Sequence, residues 1–462
     1  MSLIKLIQKF NRNKRTLFTT PSHNQGMVVA PKSVKLLGQK VFKSDFSEIE
    51  DFDNLAHPEG AILESQLMAS EIYQSKYSFY LPNGSTSGIL AAMLALLSQN
   101  EKVLIARNCH KAIYNGLILT GAYPIWLMPK YNEEWGIFKP INSQDVEQAL
   151  SQHKDISVFI MTNPTYEGVI SDITKIAEIC KQNNVTLVVD EAHGALWNFD
   201  KTIGIPAIYS KADITIQSLH KTAGALNPSA IMHVSKDSFV DLEKVQDSLN
   251  LINTTSPSYP ILSNIEGTID FLNSKKGKKE ISKLLTNIYK FKKALSKFDN
   301  IHVFSENNDV TKILVRIDEL SGFELSDILF TKYKIEDELA NEKSVLFLTG
   351  IGTKKEKLNK LKKALIKISK NISKSKEELG YTDEETELKK QVFCEPKVVF
   401  SPQKMFNLGY KTVKIEDCIG QISKELIINY PPGLPLIVPG ERIQEEHLPL
   451  LQDYQSIKVL VN

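Results

Sequence analysis

The sequence predicts an α/β protein built on a mostly parallel sheet, and three observations carry this. Between about Tyr77 and His233 short apolar runs alternate with longer amphipathic stretches, the pattern of βαβ units. The runs Val103–Ala106, Val158–Met161, Thr186–Asp190 and Ile214–Ile216 have the composition of short buried strands. Two of them lead straight to residues with site chemistry, Asp190 and Lys221, and in open sheets of this kind ligands bind beyond the carboxyl ends of the strands.

A chain of 462 residues with 42% hydrophobic content can bury a large core and divides into about two to three domains. Lys and Arg number 56 against 54 Asp and Glu, a net charge of +2. That near balance gives no electrostatic capture of nucleic acid or of a membrane surface, so a small molecule is the expected partner. Cys109, Cys180, Cys394 and Cys418 lie far apart without metal-ligand spacing, which predicts free thiols in a reducing, cytoplasmic compartment and no metal site.

Taken in order, Met1–Phe10 mixes lysines into its apolar residues and lacks a small-residue cleavage site, unlike a secretion signal. Asn83-Gly84-Ser85-Thr86-Ser87-Gly88 is a small-residue turn opening a helical run, Ile89–Leu97, the form that offers converging N–H and hydroxyl donors to a phosphate. The apolar stretch Gly88–Leu97 is about half the length needed to span a bilayer. After the strand Val103–Ala106 comes Arg107-Asn108-Cys109-His110-Lys111, which places His110 at a strand end where an imidazole can stack on a flat aromatic ring. Asn163–Gly168 reads as a tight loop.

The strand Thr186–Asp190 continues as Glu191-Ala192-His193-Gly194, and Ile214–Ile216 continues as Gln217-Ser218-Leu219-His220-Lys221-Thr222. A lysine beyond a strand among small residues can hold a cofactor aldehyde as a Schiff base, and a carboxylate on a neighbouring strand end can pair with a protonated pyridine nitrogen. The pair points to pyridoxal phosphate. Further on, Ile281, Leu284, Leu285, Ile288, Leu295 and Phe298 recur at helical spacing opposite lysines, a surface helix with one stripe inward. Residues 373–390 are charged and poor in large apolar residues, an exposed helix or linker at a domain boundary. Tyr430–Glu441 is rich in proline, which fixes φ and removes donors, so a rigid loop is expected there.

With these residues assembled, the chain resembles the pyridoxal-phosphate-dependent ornithine/lysine/arginine decarboxylases of fold type I, from about Phe18 to the C-terminus. Ser218-Leu219-His220-Lys221 is similar to the family's Ser-x-His-Lys signature, which implies Lys221 as the Schiff-base lysine with Ser218 and His220 near the phosphate. The resemblance further implies Asp190 as pyridinium partner, His110 as the ring-stacking histidine, His193 at the cofactor, and Ser85 and Thr86 at the phosphate. Thr255-Ser256-Pro257 is similar to a segment that approaches the neighbouring subunit's cofactor, implying a homodimer or higher homo-oligomer with Ser256 reaching across. The Pro-Pro-Gly-x-Pro…Pro-Gly-Glu tail is also family-like.

Two segments depart from the family pattern. Asn227-Pro228-Ser229 stands where a Thr/Ser-Gln pair is usual, and Thr20-Pro21-Ser22-His23-Asn24 replaces Thr-Pro-Gly-His-Lys. Both bear on substrate choice more than on cofactor binding. The chain resembles the shorter, biosynthetic type without an N-terminal receiver-like domain.

The resemblance implies a mostly parallel central sheet in a large domain and a smaller α+β C-terminal region. The expected parts are an arm (1–55), the large cofactor domain (56–270), a small α/β domain (271–371), a charged linker (372–395) and a C-terminal domain with the Pro-rich loop (396–462). The implied reaction is decarboxylation of a basic amino acid in polyamine biosynthesis, with arginine first, then lysine or ornithine. Another reaction of the same fold (aldolase, aminotransferase or amine oxidation) and a non-catalytic regulatory paralogue are the alternatives. A basic substrate side chain wants an acidic partner, for which Asp45, Glu48, Asp51, Asp53 and Glu441 are the candidates.

Overall fold

The computed structural model describes residues 2–13, 15–49, 52–377, 394–429, 434–452 and 454–461. The strands through the first half of the chain are β1 (Tyr77–Leu81), β2 (Lys102–Ala106), β3 (Tyr123–Leu127), β4 (Tyr131–Asn132), β5 (Ile137–Phe138), β6 (Val158–Thr162), β7 (Thr186–Asp190), β8 (Ile214–Ser218) and β9 (Ala230–Val234). Two compact units emerge, the first formed by Met1–Leu96 and Val188–Glu280, the second by Leu97–Leu187 and Ile281–Asn462.

In the first unit the strand order is β1-β9-β8-β7. β7 and β8 run parallel, with Asp190 beside Ile216, whereas β9 is antiparallel to both β8 and β1. The two antiparallel pairs are the exceptions in a sheet that is, as expected, mostly parallel. Every residue of β8 and β9 is buried, the polar Thr215, Gln217, Ser218 and His233 included.

Ahead of this sheet, helix Leu3–Arg12 turns Leu3, Ile7 and Phe10 inward, a one-face stripe at helical spacing. Phe10 meets Phe46 and Phe52 edge-on, each at 5.0 Å between ring centres. The helix's first amides, those of Leu3 and Ile4, donate to the Glu266 carboxylate at 2.8 and 3.1 Å, an anion placed where the helix dipole favours one. Asp53 does the same for helix Ala61–Tyr73, accepting from the amides of Gly60, Ile62 and Leu63.

In the second unit β6, β2 and β3 lie in that order and are all parallel. Helices Lys111–Thr120 and Ile173–Gln182 follow β2 and β6, the connections that parallel strands require. The unit also holds the antiparallel sheet β10-β11-β13-β12, made of β10 (Ile301–Val303), β11 (Lys312–Ile317), β12 (Leu339–Ala340) and β13 (Val345–Leu348). Helix Lys275–Leu295 buries Ile281, Leu284, Ile288, Phe291 and Leu295 as its spacing predicts, and Phe298 falls beyond its end.

Near the C-terminus β14 (Tyr410–Lys414) pairs with β17 (Ser456–Leu460), and β15 (Ile427–Asn429) with β16 (Leu434–Ile437). Ile427, Ile437, Ile443, Leu451, Ile457 and Val459 form their common core. The expectation of a loop throughout the Pro-rich tail is therefore corrected: Leu434–Ile437 is a strand. A two-stranded ladder leaves each strand one free edge, so Pro435 can sit in it without withholding a needed donor, and the register slips between Ile427 and Ile428 opposite it. Tyr430–Gly433 of that tail and residues 378–393 of the expected linker lie outside the described residues. Among the described residues no helix is long and apolar enough to cross a membrane.

Candidate active site

β8 ends at Ser218 and passes directly into a single helical turn, Leu219–Thr222, that carries His220 and Lys221. Leu219 is fully buried and anchors the turn, while the amides of Leu219 and His220 both donate to the carbonyl of Ser229, the residue before β9. The hairpin between β8 and β9 thus fixes where Lys221 leaves the sheet. His220 also donates its Nδ1–H to the Ser229 carbonyl, at 3.0 Å. Burial and then the charge of Lys221 push the His220 pKa below the ordinary histidine value, against the Ser229 bond, which raises it.

Lys221 Nζ lies 2.9 Å from His193 Nε2. His193 follows β7 in the turn that begins at Asp190, and both are buried. Asp190 accepts from the Ala192 amide at 3.1 Å. Its neighbour Glu191 is committed elsewhere, accepting from the Ala207 amide. Of the two adjacent carboxylates, then, Asp190 ends β7 beside β8, and Glu191 accepts from the Ala207 amide.

Helix Ser85–Leu96 begins at Ser85, four residues earlier than its apolar run suggested, so Ser85 and Thr86 occupy its first turn. Ser85 Oγ and Ser218 Oγ are 2.6 Å apart, which brings the helix N-terminus to the end of β8. Gly84 ahead of it has φ +83°, and a Cβ there would stand 3.3 Å from the Pro228 side chain and carbonyl oxygen. Only glycine suits this backbone, both for its left-handed angle and for the close approach. Thr86 is exposed, and the buried hydroxyls of Thr222 and Ser229 have no hydrogen-bond partner among the described residues.

These residues fit pyridoxal phosphate. There is an amine on a strand end, a buried carboxylate on the adjacent parallel strand, and hydroxyls gathered at the first turn of a helix behind a glycine that keeps the turn clear. Two of the residues expected at the cofactor make local hydrogen bonds. Ser256 is exposed and pairs with Thr254, its amide donating to the threonine Oγ1 at 3.3 Å. His110, in the second unit, is exposed and caps helix Lys111–Thr120, its Nδ1 accepting from the Ala112 amide at 3.2 Å.

The acidic candidates for a basic substrate separate by what already occupies their oxygens. Asp53 is taken up by backbone amides, and Glu441 by both nitrogens of the Arg107 fork and by the Val438 amide. Asp45 accepts from His23 Nε2 at 3.2 Å, and Glu48 accepts from the Leu55 amide, its pKa raised by partial burial. Asp51 lies outside the described residues. The partnership of Arg107 with Glu441 and that of Lys221 with His193 were not apparent in the sequence.

The family model of the Orn/Lys/Arg decarboxylase major domain matches residues 2–319, and that of the Orn/Lys/Arg decarboxylase C-terminal domain matches residues 386–459. An arginine decarboxylase of Halalkalibacterium halodurans is 27% identical over 94% of this chain and 89% of its own length. An uncharacterized protein of Bacillus subtilis, YaaO, is 30% identical over 99% of this chain and 94% of its own. In fold, the lysine decarboxylase of Francisella novicida superposes with a TM-score of 0.84 at 20% identity, over 99% of this chain and 81% of that one.

Proposed function

The chain belongs to the Orn/Lys/Arg decarboxylase family, and from that premise we propose that it decarboxylates arginine, using pyridoxal phosphate held on Lys221. The observation that carries the reading is the placement of Lys221 on the turn that ends β8, against His193 and beside the strand that ends in Asp190. Arginine is favoured by the curated relatives named arginine decarboxylase that match nearly the whole chain.

When bound, the cofactor supplies an electron sink for the carbanion left as carbon dioxide departs. The chain's residues do the rest. Lys221 would hold the cofactor through its amine. Asp190, buried at the end of β7, would keep a proton on the pyridine nitrogen by charge pairing. Ser85, Thr86 and Ser218 would donate to the phosphate, with His220 beside it, and the N-terminus of helix Ser85–Leu96 would favour its charge. His193 stays against the lysine, and His110 is assigned to the face of the ring, where it would hold the orientation that bond cleavage needs. For the guanidinium end of the substrate, Asp45 and Glu48 remain among the described acidic candidates, because Asp53 and Glu441 are occupied.

The active unit is proposed to be a homodimer in which Thr255-Ser256-Pro257 of each protomer completes the phosphate site of its partner. The exposure of Thr254, Thr255 and Ser256 supports this, since a segment bound for another subunit is left open in one chain. Purified protein supplied with pyridoxal phosphate and given arginine, lysine or ornithine in turn tests the reading. Carbon dioxide release greatest from arginine, and lost in Lys221→Ala, is the expected result. Release from none of the three overturns it.

A further inference from the structure

We propose that His193 is the base that takes the proton of Lys221 when the lysine bonds to an aldehyde carbon, a proposal that rests on Lys221 being the cofactor lysine. The two nitrogens are 2.9 Å apart. A lysine ammonium has three donors and no acceptor, so in this contact Lys221 donates, Nε2 of His193 presents its lone pair, and the ring proton sits on Nδ1. An ammonium cannot attack a carbonyl; it must first give up a proton, and the lone pair at the other end of its hydrogen bond is in place to take it.

Other groups at the ends of β7 and β8 already have partners of their own. His220 directs Nδ1–H at the Ser229 carbonyl, which can only accept, and that nitrogen is closed as a base. Asp190 accepts from the Ala192 amide, and Glu191 is held at Ala207. His193 is 4% exposed, so solvent has little access to it.

The step balances. One ammonium hydrogen passes from Nζ to Nε2, and the freed electron pair on Nζ forms the bond to carbon. The carbonyl oxygen then leaves as water with two hydrogens, one returned from Nε2 and one taken from Nζ. The third hydrogen stays on nitrogen, the positive charge is conserved, and His193 ends neutral as it began.

The test needs no turnover. Full-length protein stripped of cofactor with hydroxylamine is mixed with pyridoxal phosphate, and capture is followed by near-visible absorbance in wild type, His193→Ala and His193→Gln. Capture about 100-fold slower in both variants, restored by added imidazole in the alanine variant, is the expected outcome. Either variant capturing at the wild-type rate overturns the proposal, and so does slow capture in His193→Ala that imidazole leaves unchanged. If His193→Ala fails to fold, the glutamine variant, which keeps a hydrogen bond but has no base, decides by its rate alone. A wild-type protein that captures no cofactor at all overturns the assignment of Lys221, and this proposal with it.

Discussion

Arg107 and Glu441 meet in a buried, two-pronged ion pair, Nη1 to Oε1 at 2.6 Å and Nη2 to Oε2 at 2.8 Å, from positions 334 residues apart. Each side chain is 3% exposed. The guanidinium also donates to the Leu436 carbonyl and lies over the Trp126 ring at 4.6 Å. Burial works against the arginine's charge, and the Glu441 carboxylate with its neighbours more than offsets that, raising the pKa. The pair joins residues matched by the major-domain model to residues matched by the C-terminal one.

Removing one partner of such a pair leaves the other as an uncompensated buried charge. Glu441→Gln is therefore expected to destabilise the protein by about 3–5 kcal/mol, whereas replacing both residues by apolar ones of similar volume costs less than the single change. Urea unfolding of the single and double variants measures this. A single variant as stable as wild type would mean that the pair is not closed in solution.

Asp190→Asn keeps the shape of the side chain and its bond to the Ala192 amide but cannot hold a pyridine nitrogen protonated by charge. Turnover is expected to fall roughly 100-fold, about 2.7 kcal/mol of barrier, with cofactor binding affected less. Steady-state rates beside an absorbance titration with cofactor separate the two. Near-wild-type turnover would remove Asp190 from its assigned role.

Stability should fall as the solution is acidified below about pH 6.5. Complete burial brings the His233 pKa down to about 3, and burial with the Arg107 charge brings that of His447 to about 4. Both stay neutral in the fold while their unfolded counterparts protonate near the ordinary value. The unfolded state therefore binds more protons as pH drops, and the stability present above pH 6.5 is lost toward pH 4 for His447 and toward pH 3 for His233, by at most about 1.4 kcal/mol per pH unit for each histidine. Denaturation midpoints at pH 7 and pH 5 give the answer, and equal midpoints would contradict it.

Mixing Lys221→Ala with a disruptive Ser256→Trp variant should restore part of the activity that neither has alone. In a mixed dimer with shared sites, one site carries both lesions and the other carries neither. Co-purification through a tag on one variant establishes that mixed dimers form. If they form and stay inactive, Ser256 does not serve the partner's site.

The local signals in the sequence were the ones that an apolar run and the residue at its end can carry. β2, β6, β7 and β8 were legible as runs, and Lys221 and Asp190 stood out because each follows one. Strand direction was not legible strand by strand, since a run of buried residues reads alike either way, so which strands of the mostly parallel sheet run antiparallel, β9 against β8 and β1, came only from the structure. Leu434–Ile437 was misread because proline opposes strands in general, whereas its effect depends on whether the edge it occupies needs a donor. The contacts of Arg107 with Glu441 and Lys221 with His193 join segments far apart along the chain, and no local pattern encodes them.

The approach of Pro228 to Gly84 bears on how this chain has diverged from its relatives. Asn227-Pro228 departs from the family's usual pair, yet it leans on the turn before Ser85 rather than on the acidic segment near Asp45. Exchanging that dipeptide for the family's usual one would thus reshape the seat of the phosphate, and its first effect would be on how tightly cofactor is retained through dialysis. A change in the ranking of arginine, lysine and ornithine would have to be sought in the N-terminal segment that carries His23 and Asp45.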